Sequence, residues 1–265
     1  MEVTMSQKNY AVITGASAGI GTCFAEGLAK RGYSLVLVAR REERLVALAE
    51  RLEQQYGTTS RIIACDVSVQ EECERLIQEI QDLPVTILIN NAGFGDCNTF
   101  IEAELSKELN MIDVNIKGMH ILMKRMLQYM KPKNEGYILN VASSAGLLPA
   151  GPYMATYYAT KAYVTSITQA IDRELKESKC NVYVGCLCPG PVDTEFNQVA
   201  NVEFALNGIT AEYCAEYGIQ QMLKRKTVIV PTFVMKLLLF AVRFIPRKWY
   251  VAINARQQKK KLYRS

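Results

Sequence analysis

Short apolar runs alternate with longer segments of helical periodicity along the whole chain. The runs are continuous, as in Leu35–Val38, and lack the strict alternation of a strand with one face in water. Continuous runs are typical of strands covered on both faces of a parallel sheet. Seven runs are predicted as strands: Tyr10–Thr14, Ser34–Ala39, Arg61–Cys65, Val85–Asn90, Tyr137–Val141, Val182–Cys188 and Thr227–Val230.

Helical periodicity fills the intervals between these runs. One predicted helix opens with a capping box, Ser68 followed by Glu71, which would satisfy free N–H groups of its first turn. The repeated β–α–β order predicts parallel strands joined by right-handed crossovers. No linker or internal repeat divides the sequence. We therefore predict an α/β fold: a single doubly wound domain over residues 1–265, with a seven-stranded parallel sheet flanked by helices.

Composition narrows the function classes. With 49% hydrophobic and 22% charged residues, the chain is typical of a globular protein. Eight cysteines without a CxxC pair, and one histidine, His120, predict reduced core thiols and no metal site. His120 lies in a helical pattern, so we expect a structural role and disfavour a Ser–His–Asp hydrolase. Residues 1–9 do not resemble a secretory signal, and we expect a cytoplasmic protein.

Charge is distributed unevenly along the sequence. Twelve basic side chains and no carboxylate side chain follow Glu216, whereas the preceding residues carry 19 basic and 26 acidic side chains. An acidic body with a basic tail does not indicate a nucleic-acid-binding protein. The basic tail allows two interpretations: it contacts an anionic surface or partner, or it is a solvated terminus. We favour the solvated terminus.

Residues Thr14–Gly21 place three glycines between the first predicted strand and the next helix. Gly15 suits a tight turn, Gly19 lets the backbone approach a pyrophosphate, and Gly21 lets the helix pack close to the strand. The helix N-terminus then presents N–H groups and its positive dipole end to the phosphates. This strand–turn–helix unit predicts a nucleotide site.

The end of the second predicted strand indicates which nucleotide binds. NAD binders usually carry a carboxylate there that accepts hydrogen bonds from the ribose hydroxyls. This chain has Arg40 and Arg41 instead, and guanidinium groups bind a 2′-phosphate through charge-assisted bonds. The alternative is that these arginines merely begin a charged helix that runs to Arg44. We favour NADP(H) as the cofactor.

Tyr157 and Lys161 are four residues apart, so a helix places them on one face. A free tyrosine is a poor acid or base at neutral pH, but a nearby ammonium favours the phenolate and lowers the phenol's pKa. An aromatic–aliphatic helix pair is the alternative explanation of this motif taken alone.

Seven motifs in order make the chain resemble the short-chain dehydrogenase/reductase family, over nearly its whole length. The resemblance is strongest to the branch that contains hydroxysteroid dehydrogenases and long-chain ketoacyl reductases, and it implies a Rossmann fold. The motifs are Thr14–Gly21 (TGxxxGxG), Asp66-Val67, Asn90-Asn91-Ala92-Gly93, Asn115 with Gly118, Ser143-Ser144, Tyr157–Lys161, and Pro189-Gly190 with Thr194.

The resemblance implies a catalytic set of Asn115, Ser144, Tyr157 and Lys161. Tyr157 would exchange a proton with the substrate oxygen during hydride transfer, and Lys161 would hold the nicotinamide ribose and lower the tyrosine's pKa. Ser144, thirteen residues before Tyr157, would hydrogen-bond the substrate oxygen, while Ser143 would face the backbone. Asn115 would bind a water that relays protons to Lys161.

The resemblance also implies the cofactor contacts. Asp66 and Val67 would flank the adenine, Asn91 would support the central strands, and Thr194 would meet the nicotinamide carboxamide. The predicted cofactor-binding residues are Gly15, Ser17, Gly19, Ile20, Gly21, Arg40, Asp66, Val67, Asn91, Ala92, Gly93, Tyr157, Lys161, Pro189, Gly190, Val192 and Thr194. We predict an NADP(H)-dependent oxidoreductase that interconverts a carbonyl and a secondary alcohol; an NADP-binding regulator or scaffold without significant catalysis is the alternative.

Specificity in the family resides after Thr194, and we expect a substrate loop at about 195–225. Its apolar side chains suit a lipophilic small-molecule substrate, such as a steroid or acyl ketone, although they could instead pack on the sheet. Tyr153, one turn before Tyr157, is expected to line the substrate pocket.

A basic amphipathic segment is predicted at about 231–265. It is too short and too interrupted to span a bilayer, since Lys236 and Arg243 stand within its apolar part. Three interpretations are open: a cover over the substrate site or a subunit interface, which we favour, a membrane-surface helix, and intramolecular packing. Members of the family are commonly dimers or tetramers, so we expect a homodimer or homotetramer.

Overall fold

The computed structural model describes residues 9–196, 200 and 208–262, and of residues 260–262 only the backbone. A seven-stranded parallel sheet lies at the centre, with the strand order β3-β2-β1-β4-β5-β6-β9. The strands are β1 (Tyr10–Thr14), β2 (Ser34–Ala39), β3 (Ser60–Ala64), β4 (Val85–Asn90), β5 (Tyr137–Val141), β6 (Tyr183–Leu187), β7 (Val192–Asp193), β8 (Ile209–Thr210) and β9 (Val228–Ile229). The predicted doubly wound α/β fold is confirmed.

All seven predicted strands are present in the sheet, with ends that differ by at most one residue from the predicted ends. The prediction missed β7 and β8, which pair with each other in parallel through Val192 with Ile209 and Asp193 with Thr210. Two-residue strands carry too little of a hydrophobic pattern to be recognised in sequence.

The helices connect the strands and cover both faces of the sheet. They are α1 (Gly19–Ala29), α2 (Glu42–Tyr56), α3 (Gln70–Glu79), α4 (Leu105–Ile112), α5 (Met119–Met130), α6 (Ala155–Glu177), α7 (Ala211–Leu223), α8 (Phe233–Val242) and α9 (Arg247–Leu262). A π-helical segment, Asp113–Gly118, joins α4 to α5, and short 3₁₀ helices occupy Lys131–Lys133 and Ser144–Leu147.

Successive residues of the central strands point to opposite faces and enter two separate cores. On one face Val12, Val36 and Leu88 pack with side chains of α3, α5 and α6. On the other face Ile13 and Leu37 pack with side chains of α1, α2 and α7. Burial on both faces explains why the strands read as continuous apolar runs.

Two sequence predictions about segment ends are wrong. The capping box at Ser68 does not form, because α3 starts later, at Gln70 behind Val69. The Glu72 carboxylate instead accepts a hydrogen bond from the Asp66 backbone N–H at 2.6 Å. The predicted substrate loop at about 195–225 is too long, because Ala211–Leu223 forms α7, whose buried face packs in the core with α1. Residues 197–199 and 201–207 of that loop lie outside the described residues.

Among the described helices, none combines the length and the apolar character that crossing a bilayer requires. The predicted cytoplasmic location stays a prediction.

Candidate active site

A cavity of about 1130 Å³ opens at the carboxyl ends of the parallel strands, beside the point between β1 and β4 where the strand order reverses. Open α/β sheets bind their ligands at such a point. The cavity runs from the glycine turn after β1 to the inner faces of α8 and α9. Of the predicted site residues, all except Gly21 and Asn115 line it.

The glycine turn is held by side chains at the end of β4. The Thr14 hydroxyl oxygen accepts hydrogen bonds from the backbone N–H groups of Asn91 and Ala92, both at 3.0 Å. Asn91 Nδ2 in turn donates to the Thr14 carbonyl at 3.0 Å. These bonds tie the two central strands together at the cavity floor.

The turn leaves space that a dinucleotide requires. Gly15 and Gly19 have φ angles of +67° and +55°, which disfavour any residue with a side chain. A Cβ on Gly19 would lie 3.2 Å from Thr194 Cγ2, across the entrance to the turn. Gly21 acts through packing, because a Cβ there would lie 2.1 Å from the Gly15 carbonyl oxygen. The turn therefore fits a pyrophosphate at the start of α1.

Several charged side chains surround the end of the cavity beyond β2 and β3. The Arg41 guanidinium donates hydrogen bonds to Ser17 Oγ at 3.3 Å and to the Glu195 carboxylate at 3.2 Å. Arg44 donates a further hydrogen bond to Glu195 at 2.8 Å. Arg40 is 68% exposed, with its guanidinium 3.8 Å from Asp66. The predicted cofactor-binding residues include Arg40, but Arg41 makes the closer contacts with the turn. Sequence reasoning missed Glu195.

Tyr157 lies near the middle of the cavity, on the first turn of α6. Its side chain is buried, and Phe196 packs against its ring with centroids 5.5 Å apart. Burial raises the pKa of the phenol to about 12, although a hydrogen bond from the Ser143 hydroxyl acts in the opposite direction. The phenol therefore carries its proton at neutral pH.

Lys161 lies one turn further along α6 and is buried as well. Burial lowers the pKa of its ammonium to about 8. Nζ donates to the Val141 carbonyl at 2.9 Å and lies 5.8 Å from the centre of the Tyr157 ring. The expected lowering of the tyrosine's pKa by Lys161 is absent from this geometry, because the ammonium is directed to Val141 and burial dominates.

The two adjacent serines at the end of β5 differ in their contacts. Ser143 Oγ accepts a hydrogen bond from the Ala145 backbone N–H at 3.2 Å, which caps a 3₁₀ turn, and its hydroxyl lies close enough to the Tyr157 phenol to lower that phenol's pKa. Ser144 is buried, and its backbone N–H donates to the Pro189 carbonyl at 2.8 Å. The serine that contacts Tyr157 is thus Ser143, whereas spacing had indicated Ser144. The role of Ser144 stays a prediction.

Asn115 lies in the π-helical segment and is buried below the cavity. Its Nδ2 donates to the Phe94 carbonyl at 2.9 Å and to Thr160 Oγ1 at 3.0 Å, and its Oδ1 accepts from the Phe94 N–H at 3.0 Å. The side chain therefore fixes the segment after β4 against α6. π-Helical turns occur frequently at functional sites. The predicted water relay stays a prediction.

Sequence reasoning missed the polar residues contributed by α9. Gln258 Nε2 donates to the Tyr158 hydroxyl at 2.9 Å, and Asn254 Nδ2 donates to the Ala150 carbonyl at 2.7 Å. Gln258 Oε1 is buried, and none of the described residues forms a hydrogen bond with it. Tyr158 lines the cavity, whereas Tyr153, which was expected there, lines a small separate pocket. Only the four-residue spacing of Asn254 and Gln258 could have signalled a shared helix face.

Comparison with known proteins identifies the family. The family model for short chain dehydrogenases matches residues 9–203, and the chain therefore belongs to the short-chain dehydrogenase/reductase family. It is 39% identical over 184 residues, 65% of the chain, to a very-long-chain 3-oxoacyl-CoA reductase of Meyerozyma guilliermondii. The chain spans about half of that curated relative, 54% of its length. The predicted resemblance to the ketoacyl reductase branch is confirmed.

Solved structures agree with this assignment. A short-chain dehydrogenase from Sphingobium yanoikuyae in complex with NADPH is 28% identical, with a TM-score of 0.80 and 94% of each chain covered. A short chain dehydrogenase/reductase from Burkholderia phymatum in complex with NAD is 26% identical, with a TM-score of 0.80 and 89% of this chain and 92% of the other covered. These two neighbours share the fold of the chain, and each of them binds a nicotinamide dinucleotide.

Proposed function

We propose that the chain is an NADP(H)-dependent oxidoreductase that interconverts a carbonyl and a secondary alcohol on a lipophilic substrate. One observation carries this proposal. Tyr157, contacted by Ser143 and followed by Lys161, lies between a glycine-lined half and a largely apolar half of a single cavity. The first half suits the dinucleotide, and the second suits the substrate.

The residues that would hold the dinucleotide are those of the predicted set. Gly15–Gly21 would receive the pyrophosphate, Asn91–Gly93 and Lys161 the nicotinamide ribose, and Pro189–Thr194 the nicotinamide. When bound, the nicotinamide supplies or accepts the hydride. Arg40 and Arg41 support a 2′-phosphate on the adenine ribose, because no strand-end carboxylate stands at β2.

The chain's own residues control the proton on the substrate oxygen. At neutral pH the Tyr157 phenol has a proton to donate, as carbonyl reduction requires. Ser143 would hold the oxygen and the phenol together through its hydroxyl. Lys161, whose pKa is about 8, stays mainly protonated at pH 7, and its ammonium would hold the nicotinamide ribose.

Replacing the two serines one at a time should distinguish their roles. We expect Ser143→Ala to lower kcat by about 100-fold, because it removes a hydroxyl at the reacting oxygen. Ser144→Ala should change kcat by less than about fivefold, because the contact with Pro189 is through the backbone. Steady-state kinetics with a saturating cofactor measure both. A larger loss in Ser144→Ala would restore the assignment made from spacing.

The substrate half of the cavity is apolar with one polar corner. Its apolar lining includes Leu148, Met154, Leu238, Val242, Ile245 and Ile253. Tyr158, Asn254 and Gln258 form the polar corner, where the buried Gln258 Oε1 lacks a donor. A bulky, lipophilic ketone or acyl ketone with a polar group at its far end would suit this lining, with that polar group at the corner.

Replacement of Gln258 should therefore reverse a substrate preference. Gln258→Leu should raise the KM for a bulky ketone that carries a distal hydroxyl by about tenfold, because the polar corner loses its amide. The KM for the matched ketone without that hydroxyl should stay the same or fall. Equal changes in the KM of the two ketones would show that Gln258 does not recognise a polar group of the substrate.

An activity screen tests the proposed function as a whole. Bulky steroid ketones, long-chain 3-oxoacyl thioesters and small aromatic ketones would each be supplied with NADPH or NADH, and the nicotinamide absorbance followed. We expect turnover with the bulky substrates and with NADPH preferred. Turnover confined to small polar ketones would refute the lipophilic substrate class. The family's common assembly also leads us to propose a homodimer or homotetramer.

A further inference from the structure

Helix α8 is apolar on nearly all sides, yet most of it lies at the surface. Its Phe233, Val234, Leu237 and Phe240 are 76%, 69%, 57% and 55% exposed, and Phe244, just after the helix, is 74% exposed. Helices that are hydrophobic all round are normally buried in a core or in a membrane. The exposed side of α8 therefore requires a covering surface.

The exposed side chains form one stripe with basic neighbours. Each helical residue turns about 100° from the last, so Phe233, Leu237, Phe240 and Phe244 lie above one another. Lys236 and Arg243 both lie along the same side of this stripe. Beyond it come Arg247, Lys248 and the exposed Trp249, at the start of α9. We call this surface, from Phe233 to Trp249, the apolar–basic patch.

The patch adjoins the substrate half of the cavity. Leu238, Ala241, Val242 and Ile245 from the same segment line that cavity, and Leu238 is also 38% exposed. A single helix thus separates the exterior apolar surface from the interior apolar surface. A compound that dissolves in the covering surface would reach the cavity around α8 without crossing bulk water.

Charge distinguishes between the surfaces that could cover the patch. No carboxylate side chain occurs after Glu216, so the patch carries basic groups alone. In a two-fold dimer built on this patch, the same surface would meet itself, and Arg243, Arg247 and Lys248 of both copies would be brought together. An anionic lipid surface instead complements these charges and accepts exposed Phe and Trp at the headgroup boundary. The ten residues of α8 are far fewer than the roughly 20 that span a bilayer.

We propose that the apolar–basic patch docks on the surface of an anionic bilayer, with Phe233, Phe240 and Phe244 in the acyl boundary and the basic side chains at the headgroups. Docking would place the substrate half of the cavity at the membrane, from which a lipophilic substrate would enter. The membrane contact itself does not depend on the proposed catalytic function, and it can be measured without turnover.

Trp249 provides a local readout, because it is the only tryptophan of the chain and is 66% exposed within the patch. The full chain would be titrated with vesicles of phosphatidylcholine alone, or of phosphatidylcholine mixed equally with phosphatidylglycerol. We expect a blue shift of Trp249 emission and co-sedimentation with the anionic vesicles, and little of either with the neutral ones. Absence of binding to the anionic vesicles would overturn the proposal.

Two variants separate the apolar and the electrostatic contributions. Phe233→Ser/Phe240→Ser/Phe244→Ser should weaken vesicle partitioning at least about tenfold, because serine does not bury the apolar area that each phenylalanine would bury in the bilayer. Arg243→Gln/Arg247→Gln/Lys248→Gln should weaken it about 100-fold at low salt, at roughly fivefold per charge. All of these side chains are exposed, and thermal unfolding would verify that each variant is folded.

A matched control replaces exposed apolar residues elsewhere. Phe100, Ile101 and Leu105 are 68%, 95% and 69% exposed on the segment around α4, and Phe100→Ser/Ile101→Ser/Leu105→Ser should leave vesicle binding unchanged. Light scattering of the wild type and the phenylalanine variant gives the final test. If the phenylalanine variant formed a smaller oligomer than the control variant, the surface that covers the patch would be a second copy of this chain. The proposal would then be wrong.

Discussion

Replacing Tyr157 with phenylalanine should lower turnover by about 100- to 10,000-fold and leave cofactor binding nearly unchanged. The substitution removes the phenol that lies between the two halves of the cavity, and a positioned general acid typically contributes this much to a rate. The ring still fills its position against Phe196, so the cavity should keep its shape. Steady-state kinetics measure the loss, and a fluorescence titration with NADPH measures the binding.

Tyr163→Phe is the matched control for this substitution. Tyr163 is on the same helix, and its hydroxyl bonds His120 Nδ1 at 2.8 Å, away from the residues that line the cavity. The control loses the same atom and should keep its turnover within a few-fold. Tyr157→Phe with near-normal turnover, or equal losses in both variants, would refute the assignment of Tyr157 as proton donor.

Arginine substitutions should change the preference between the two dinucleotides. A hydrogen bond to a charged group is worth about 1.5–3 kcal/mol, so Arg40→Ala or Arg41→Ala should weaken NADPH binding by about 10- to 100-fold. NADH, which lacks the 2′-phosphate, should lose little. Arg41 should show the larger effect, because it already contacts Ser17 of the glycine turn, whereas Arg40 is mostly exposed.

Arg51→Ala supplies the control for the loss of positive charge. Arg51 is on α2, the helix that starts directly after Arg41, and pairs with Glu26 at 3.2 Å outside the cavity. Its removal should leave the ratio of NADPH to NADH affinity unchanged. If Arg40→Ala and Arg41→Ala weakened the two dinucleotides equally, the phosphate-binding role would be wrong and the arginines would have a general electrostatic effect.

The central architecture was predictable because its pattern is strong and local. Strands buried on both faces produce runs such as Leu35–Val38, and their order along the chain determines a parallel sheet. The glycine turn was predictable for the same reason: Gly15 and Gly19 adopt positive φ angles, which few other residues tolerate.

The finer features depend on contacts that a sequence pattern does not record. Ser143 and Ser144 are adjacent, and only the 3₁₀ turn that follows determines which hydroxyl meets Tyr157. The start of α3 was mistaken because Glu72, rather than Glu71, bonds the preceding turn. Gln258 reaches the cavity only because α9 folds back over residues near Ala150, about a hundred positions away in sequence.

The pKa of Tyr157 shows a similar dependence on tertiary structure. Its four-residue spacing from Lys161 predicted a stabilised phenolate. Burial of both groups instead raises the pKa of the phenol to about 12 and lowers that of the ammonium to about 8. Neither effect can be read from spacing, because both depend on how far water is excluded from the cavity.

Isotope transfer tests the central claim most directly. The protein would be incubated with a bulky apolar ketone and with NADPH that carries deuterium at the transferable position of nicotinamide C4, and the product alcohol analysed by mass spectrometry. The account predicts one deuterium on the carbinol carbon with the wild type, and almost no labelled alcohol with Tyr157→Phe at equal cofactor occupancy. An unlabelled alcohol, or labelled alcohol formed equally well by Tyr157→Phe, would contradict it.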